Sequence, residues 1–149
     1  MGKLTQLQDY INGVLTKIYP KLNYETSNGL TLKTGFEFRN NNISAPYLQK
    51  SGNTVQICCQ IFKSDLSGFS KDDDVVATVP VGFIPKKAVV FAVGMGKSNV
   101  DNGWGVNGTG RCHIESNTGY IHVRAPGISI DGNQATTFDY AYIYATYIV

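Results

Sequence analysis

The sequence of 149 residues has few charges and no long apolar run, and each shortage excludes a class of protein. Charged residues make up 16% of the chain, against roughly 25% in a typical soluble domain. The net charge of +2 is too small to predict binding to nucleic acid or to an anionic membrane. No segment approaches the roughly 20 consecutive apolar residues that span a bilayer, so membrane insertion is not expected.

Cysteine is also scarce, and the three that are present do not have the spacing of a metal site. Cys58 and Cys59 are neighbours, and neighbouring residues of a strand point to opposite faces. No C-x-x-C pair is present, so we expect Cys58, Cys59 and Cys112 to be reduced and to serve as small apolar residues. The sequence therefore predicts no metal and no cofactor.

Glycine, asparagine, threonine and tyrosine replace the missing charges, a balance that is typical of short strands and tight turns. From Asn23 onward apolar residues alternate with polar ones, most clearly in NTVQICCQIFK. In that segment one predicted face holds Val55, Ile57, Cys59 and Ile61. With about eight such short segments, residues 23–149 are predicted to form one all-β domain, an antiparallel sandwich or barrel.

The first 22 residues differ because their apolar positions have helical spacing. The intervals of 3, 4, 3 and 4 residues match the a and d positions of a heptad, and the pattern stops at Pro20. A helix this short is only marginally stable alone in water. Its apolar stripe therefore needs a partner, either its own domain or copies of itself. We predict a trimerisation and attachment helix over 1–22, with the stripe made by Leu4, Leu7, Ile11, Val14 and Ile18. The segment Met1–Lys3 leads into this polar helix and not into an apolar signal-peptide core, so we expect a soluble protein made in a cytoplasm.

The segment RCHIESNTGYIHVR predicts a hairpin that turns at Asn117-Thr118 and places His113 opposite His122. One face is then apolar, and the polar face holds Arg111, His113, Glu115, Tyr120, His122 and Arg124. The histidine pair could bind a metal, sense pH or bond a ligand, or be an ordinary exposed pair. A single carboxylate, Glu115, cannot perform two-carboxylate glycoside chemistry, and we expect no catalytic residues.

The only tryptophan, Trp104, lies in a long loop rich in glycine and asparagine, residues 94–110. Close to it in sequence are Asp101, Asn102 and Asn107. An aromatic face beside short amide and carboxylate groups suits a sugar, whose C–H face stacks on the ring while its hydroxyls form directional hydrogen bonds. The alternative is that Trp104 packs into the core and holds the loop in place.

A corner with two prolines joins two predicted strands in VATVPVGFIPKKAVVFAV. Together with GYIHV in the hairpin and the tyrosine-rich last strand, this corner resembles the C-terminal head domains of bacteriophage tail-fibre and baseplate receptor-binding proteins. In that family an [IV]-x-T-[LV]-P-x-G-[FY]-x-P segment joins two strands, and here it is Val76–Pro85; the resemblance covers about Ser51–Val149. Pro80 and Pro85 fix φ and remove two N–H donors, so we expect the chain to leave one sheet there and enter the next.

The resemblance implies a homotrimer in a phage virion, at the tail tip or baseplate, made in the host cytoplasm. It implies a non-catalytic adhesion protein that binds host cell-wall saccharide and contacts other phage baseplate or tail proteins through its N-terminus. The expected saccharide-binding residues are Trp104, Asp101, Asn102 and Asn107, joined by Arg111, His113 and His122. Two alternatives stay open: a structural baseplate or tail-fibre subunit that binds only virion proteins, and a cell-wall-degrading enzyme.

Overall fold

The computed structural model describes residues 2–22, 25–27, 29–38, 46–65, 67–97, 108–126 and 138–149. Within these ranges the chain forms one helix and ten strands. The elements are α1 (Lys3–Leu22), β1 (Glu25–Ser27), β2 (Thr31–Leu32), β3 (Phe36–Phe38), β4 (Tyr47–Ser51), β5 (Thr54–Lys63), β6 (Asp74–Thr78), β7 (Val89–Gly96), β8 (Gly108–Ile114), β9 (Tyr120–Arg124) and β10 (Tyr140–Ile148). The predicted all-β, antiparallel class with a short N-terminal helix is confirmed, and the trimer stays a prediction.

The ten strands form one continuous, nearly closed, barrel-like sheet. Its order is β1-β4-β5-β10-β7-β8-β9-β6-β2, and β3 pairs with β5 beside this path. The last strand therefore lies in the middle of the sheet: β10 pairs with β5 along its whole length and with β7 through Tyr140–Tyr142.

The core lies on the inner side of this sheet and follows the alternation of the sequence. The predicted apolar face of β5 is confirmed, since Val55, Ile57, Cys59 and Ile61 are all buried. Burying an aliphatic side chain of this size stabilises the fold by about 1.5–3 kcal/mol. The small-residue side of β10 packs into the same core, with Ala141 and Ile143 fully buried. These two residues therefore find their contacts inside the subunit.

The predicted hairpin is confirmed with its register. His113 lies opposite His122 and Ile114 opposite Ile121, and the Glu115 amide donates to the Tyr120 carbonyl at 3.0 Å. The apolar face is buried in the core, and the polar face is turned outward.

The proline corner connects β6 to β7, which lie in the same sheet with β8 and β9 between them. The prediction that the corner passes from one sheet to another was therefore wrong. A turn at its centre is closed by the Phe83 amide, which donates to the Pro80 carbonyl at 3.0 Å, with Gly82 at φ 91°. The corner lies against the hairpin turn, because the Val79 amide donates to the Gly119 carbonyl at 3.0 Å.

The apolar stripe of α1 is exposed over the first half of the helix, where the structure describes its side chains. Leu4, Leu7 and Ile11 are 78%, 54% and 46% exposed, so the subunit's own sheet does not cover them. Val14 is partly exposed, and the side chain of Ile18 lies outside the described part of the structure. No helix in the described ranges is long and apolar enough to cross a membrane.

Candidate binding site on the outer face of β8 and β9

A row of four residues crosses the outer face of four neighbouring strands. Val90 of β7 lies opposite His113 of β8, which lies opposite His122 of β9, which in turn lies opposite Val75 of β6. Val90 is exposed, and the other three are partly exposed. The two histidines thus form the centre of a surface that is open to a ligand and has an apolar residue on each side.

The imidazole rings of His113 and His122 are stacked. Their centroids are 4.1 Å apart and their planes differ by 11°. Burial lowers the pKa of His113, and the neighbouring His122 lowers the same pKa further. His113 is therefore largely neutral at neutral pH and can serve as donor, acceptor or metal ligand.

Glu115 directly follows β8 and is held by two partners. One carboxylate oxygen, Oε1, lies 3.1 Å from Nε2 of His122, and the other, Oε2, accepts a hydrogen bond from the Thr118 hydroxyl. The same hydroxyl accepts from the Tyr120 amide at 3.1 Å, so the hairpin turn fixes the carboxylate. The hydrogen bond from Thr118 lowers the pKa of Glu115, and His122 lowers this pKa further, while burial opposes both.

These three side chains could hold a metal ion. The ligand atoms of His113, Glu115 and His122 all lie within 4.8 Å of one another. Two imidazoles and one carboxylate are a common donor set for zinc and related ions. The cysteines offer no such set, since burial raises the pKa of Cys59 and Cys112 and keeps both as thiols.

Arg111 lies on the same face, one pair further along the hairpin, and is held by an ion pair. Its Nη2 lies 2.9 Å from Oδ2 of Asp73, which precedes β6 and has a positive φ of 78°. Opposite Arg111 on β9 lies Arg124. A cavity of about 360 Å³ is lined by both arginines. Its lining is Thr109, Gly110, Arg111, Arg124, Ala125 and Pro126. A second open cavity, of about 430 Å³, lies beside the proline corner and is not part of this site.

Tyr120 extends the site toward β2 and β6. The Lys33 ammonium lies 4.2 Å from the centroid of the Tyr120 ring, within the range of a cation–π contact. This contact holds a partly exposed aromatic ring beside the histidine pair, with a cation on it.

The structure brings together three of the residues predicted to bind saccharide: Arg111, His113 and His122 share one face. Trp104, Asp101, Asn102 and Asn107 lie outside the described residues, and their roles stay predictions. Sequence reasoning missed Asp73 and Thr118 as partners of this face. The position of Thr118, three residues after Glu115 in a tight turn, was a usable signal, whereas nothing near Arg111 in sequence indicates Asp73.

A second polar surface lies across β4, β5 and β10. The Gln56 side-chain amide donates to the exposed Tyr144 hydroxyl at 2.7 Å. Next to this pair lies an open cavity of about 250 Å³. Its lining is Gln49, Ser51, Thr54, Gln56 and Thr146, all polar. Amides and hydroxyls beside a tyrosine ring could also bind a sugar, so this surface is a second candidate site against which the outer face of β8 and β9 can be tested.

A scan against protein-family models and a search of the curated proteins found no match to this sequence. Among solved structures, the chain is similar to the receptor binding protein (gp15) of Listeria phage PSA, with a TM-score of 0.65. The similarity covers 99% of this chain and 78% of that protein, at 11% sequence identity. This similarity shows a shared fold and confirms the predicted resemblance at the level of the fold. It extends well beyond Ser51–Val149, the range over which the sequence predicted it.

Proposed function

We propose that this chain is a receptor-binding protein of a phage virion that attaches to saccharide on the host cell surface and performs no chemistry. The observation that carries the proposal is the fold, which matches a phage receptor-binding protein over 99% of the chain. A fold can host many functions, so the site must supply the rest of the argument.

The outer face of β8 and β9 supports saccharide binding by its chemistry. Its imidazoles and guanidinium offer directional hydrogen bonds, and Val90 and the Tyr120 ring offer apolar area. The ion pair with Asp73 holds Arg111 in a fixed position, which lowers the entropy lost when a ligand binds. In this proposal Trp104, Asp101, Asn102 and Asn107 complete the site from the loop that joins β7 to β8.

We also propose that the protein is a homotrimer assembled through α1 and located at the tail tip or baseplate. The exposed stripe of Leu4, Leu7 and Ile11 supports this, because apolar residues at heptad spacing pack well against copies of themselves. Three weak sugar sites on one particle gain avidity through their high effective concentration. The same N-terminal region would meet other baseplate or tail proteins.

A cell-adsorption experiment tests the proposal. The full chain, fused to a fluorescent protein, is incubated with a panel of bacteria that begins with Listeria, and competition with purified wall polysaccharide follows. We expect binding that the polysaccharide abolishes, and a loss of at least tenfold in affinity for Trp104→Ala and for Arg111→Ala. The matched control is Tyr144→Ala on the second polar surface, which should bind as the wild type does.

Each alternative has its own outcome in this experiment. Loss of binding in Tyr144→Ala alone would move the saccharide site to the second surface. Absence of binding to every cell and polysaccharide, with capture of purified baseplate proteins, would favour a purely structural subunit. Release of reducing sugar from the polysaccharide would show a wall-degrading enzyme.

A further inference from the structure

We propose that His113, Glu115 and His122 form a binding site for a divalent transition-metal ion, best suited to Zn²⁺. The proposal rests on the geometry of the hairpin and holds whether or not the protein is an adhesin. It departs from the sequence-based prediction of no metal, which rested on the absence of a metal-binding cysteine spacing.

The backbone places the three ligands on one face without strain. His113 and His122 are directly opposite each other on paired antiparallel strands, and Glu115 is two residues after His113 on the same side. Zn²⁺ lies about 2.0–2.2 Å from nitrogen and oxygen ligands, so ligand atoms around a tetrahedral ion are roughly 3.3 Å apart. The observed atoms lie within 4.8 Å of one another, so a contraction of about 1.5 Å at most is needed.

Side-chain rotation can supply this contraction. The planes of the two rings differ by only 11°, and an ion bound by a nitrogen of each requires the rings to tilt until the two lone pairs converge. The Glu115 oxygen already lies 3.1 Å from Nε2 of His122, which is close to the spacing of two ligands on one ion. An ion would therefore replace the hydrogen that these two atoms share.

A further contact orients the carboxylate. The Thr118 hydroxyl donates to Oε2 of Glu115 and leaves Oε1 to face His122. Outer contacts of this kind fix the orientation of metal ligands and often change affinity 10–100-fold. The site is partly exposed, with 15% of the His122 side chain and 32% of the Glu115 side chain accessible, so an ion could enter from solvent.

The surrounding charges permit a cation. The two arginines of the hairpin, Arg111 and Arg124, lie opposite each other, one same-face pair away from the histidines, and Arg111 is paired with Asp73. The Lys33 ammonium lies over the Tyr120 ring. Three protein ligands leave a fourth position open to water, and a donor set of two nitrogens and one oxygen favours Zn²⁺, Ni²⁺ or Cu²⁺ over Ca²⁺ or Mg²⁺.

Metal titration of the full chain tests the site. The tag-free protein is stripped with a chelator, and Zn²⁺ is titrated by calorimetry, with Co²⁺ as a spectroscopic probe of tetrahedral coordination. We expect one Zn²⁺ per chain, a higher unfolding temperature with Zn²⁺, and visible Co²⁺ bands. His113→Gln and His122→Gln should each lower the affinity at least tenfold and abolish the stabilisation by Zn²⁺.

Further variants keep the result interpretable. Glu115→Gln keeps the shape of the side chain and should lower the affinity about tenfold, while Cys58→Ser, on another strand, should bind as the wild type does. Circular dichroism checks the fold of every variant. Saturable binding that is equal in wild type and in the His113→Gln/His122→Gln double variant, or no saturable binding by the stripped wild type, would overturn the proposal.

Discussion

The buried hydroxyl of Tyr147 donates a 2.8 Å hydrogen bond to the carbonyl of Phe83. This bond connects the end of β10 to the proline corner, two parts of the chain that are far apart in sequence. Burial raises the pKa of Tyr147, so the hydroxyl stays protonated and remains a donor at all ordinary pH values.

Tyr147→Phe should therefore destabilise the fold. The change leaves the Phe83 carbonyl without this donor, which costs about 1–2 kcal/mol of the free energy of unfolding, measured in urea. The matched control is Tyr144→Phe, which removes an exposed hydroxyl that accepts from Gln56 and should cost less than about 0.5 kcal/mol. Equal losses in both variants would contradict the role given to the buried bond.

Gly119→Ala should be more harmful than the same change at a glycine with similar φ. Gly119 has φ 69°, and a Cβ there would lie 2.9 Å from Val79 Cγ2 and 3.1 Å from the Val79 carbonyl oxygen. Gly52 has φ 58° and open space around it. Gly52→Ala should lower the free energy of unfolding by about 1–2 kcal/mol, because alanine disfavours the left-handed backbone. Gly119→Ala should lower it by at least about 1 kcal/mol more, because the added Cβ also crowds Val79. Urea unfolding measures both values.

The cysteines should differ in reactivity, with Cys58 as the only thiol that a reagent reaches in the native protein. Cys59 and Cys112 are buried, whereas Cys58 is partly exposed. Burial raises the pKa of Cys58, so less thiolate is present at a given pH and labelling should be slower than for a free thiol. The rate should rise as the pH increases toward that raised pKa, because the thiolate is the nucleophile.

Labelling with a chromogenic disulfide reagent checks this. We expect one slow equivalent in native protein, none in native Cys58→Ser, and three in the wild type in concentrated urea. Two or more equivalents in the native wild type would show that the core opens more readily than the buried positions indicate.

Leu7→Lys should dissociate the proposed trimer. A lysine in the middle of the stripe cannot be buried against two other helices without a large desolvation cost. We expect the molecular mass measured by light scattering to fall from three chains to one. Gln6→Lys adds the same charge beside the stripe and should leave the mass unchanged. A wild-type monomer at working concentration would refute the trimer.

Local pattern was enough to predict much of the candidate site. Alternation placed His113 and His122 opposite each other, and the confirmed register followed from separating an apolar from a polar face. The partners that complete the site could not be predicted in the same way. Asp73 reaches Arg111 across a neighbouring strand, and the orientation of Glu115 depends on a hydroxyl in the turn.

The sequence by itself determined most of the strands, the inner and outer faces of β5, β8 and β9, and the apolar stripe of the helix, because side-chain alternation and helical spacing are local properties of the chain. Only the tertiary structure decided that β10 lies between β5 and β7, that the proline corner stays within one sheet, and that Tyr147 meets Phe83. Strand order depends on which distant segments satisfy one another's backbone hydrogen bonds while they share one core, and no local pattern carries that information.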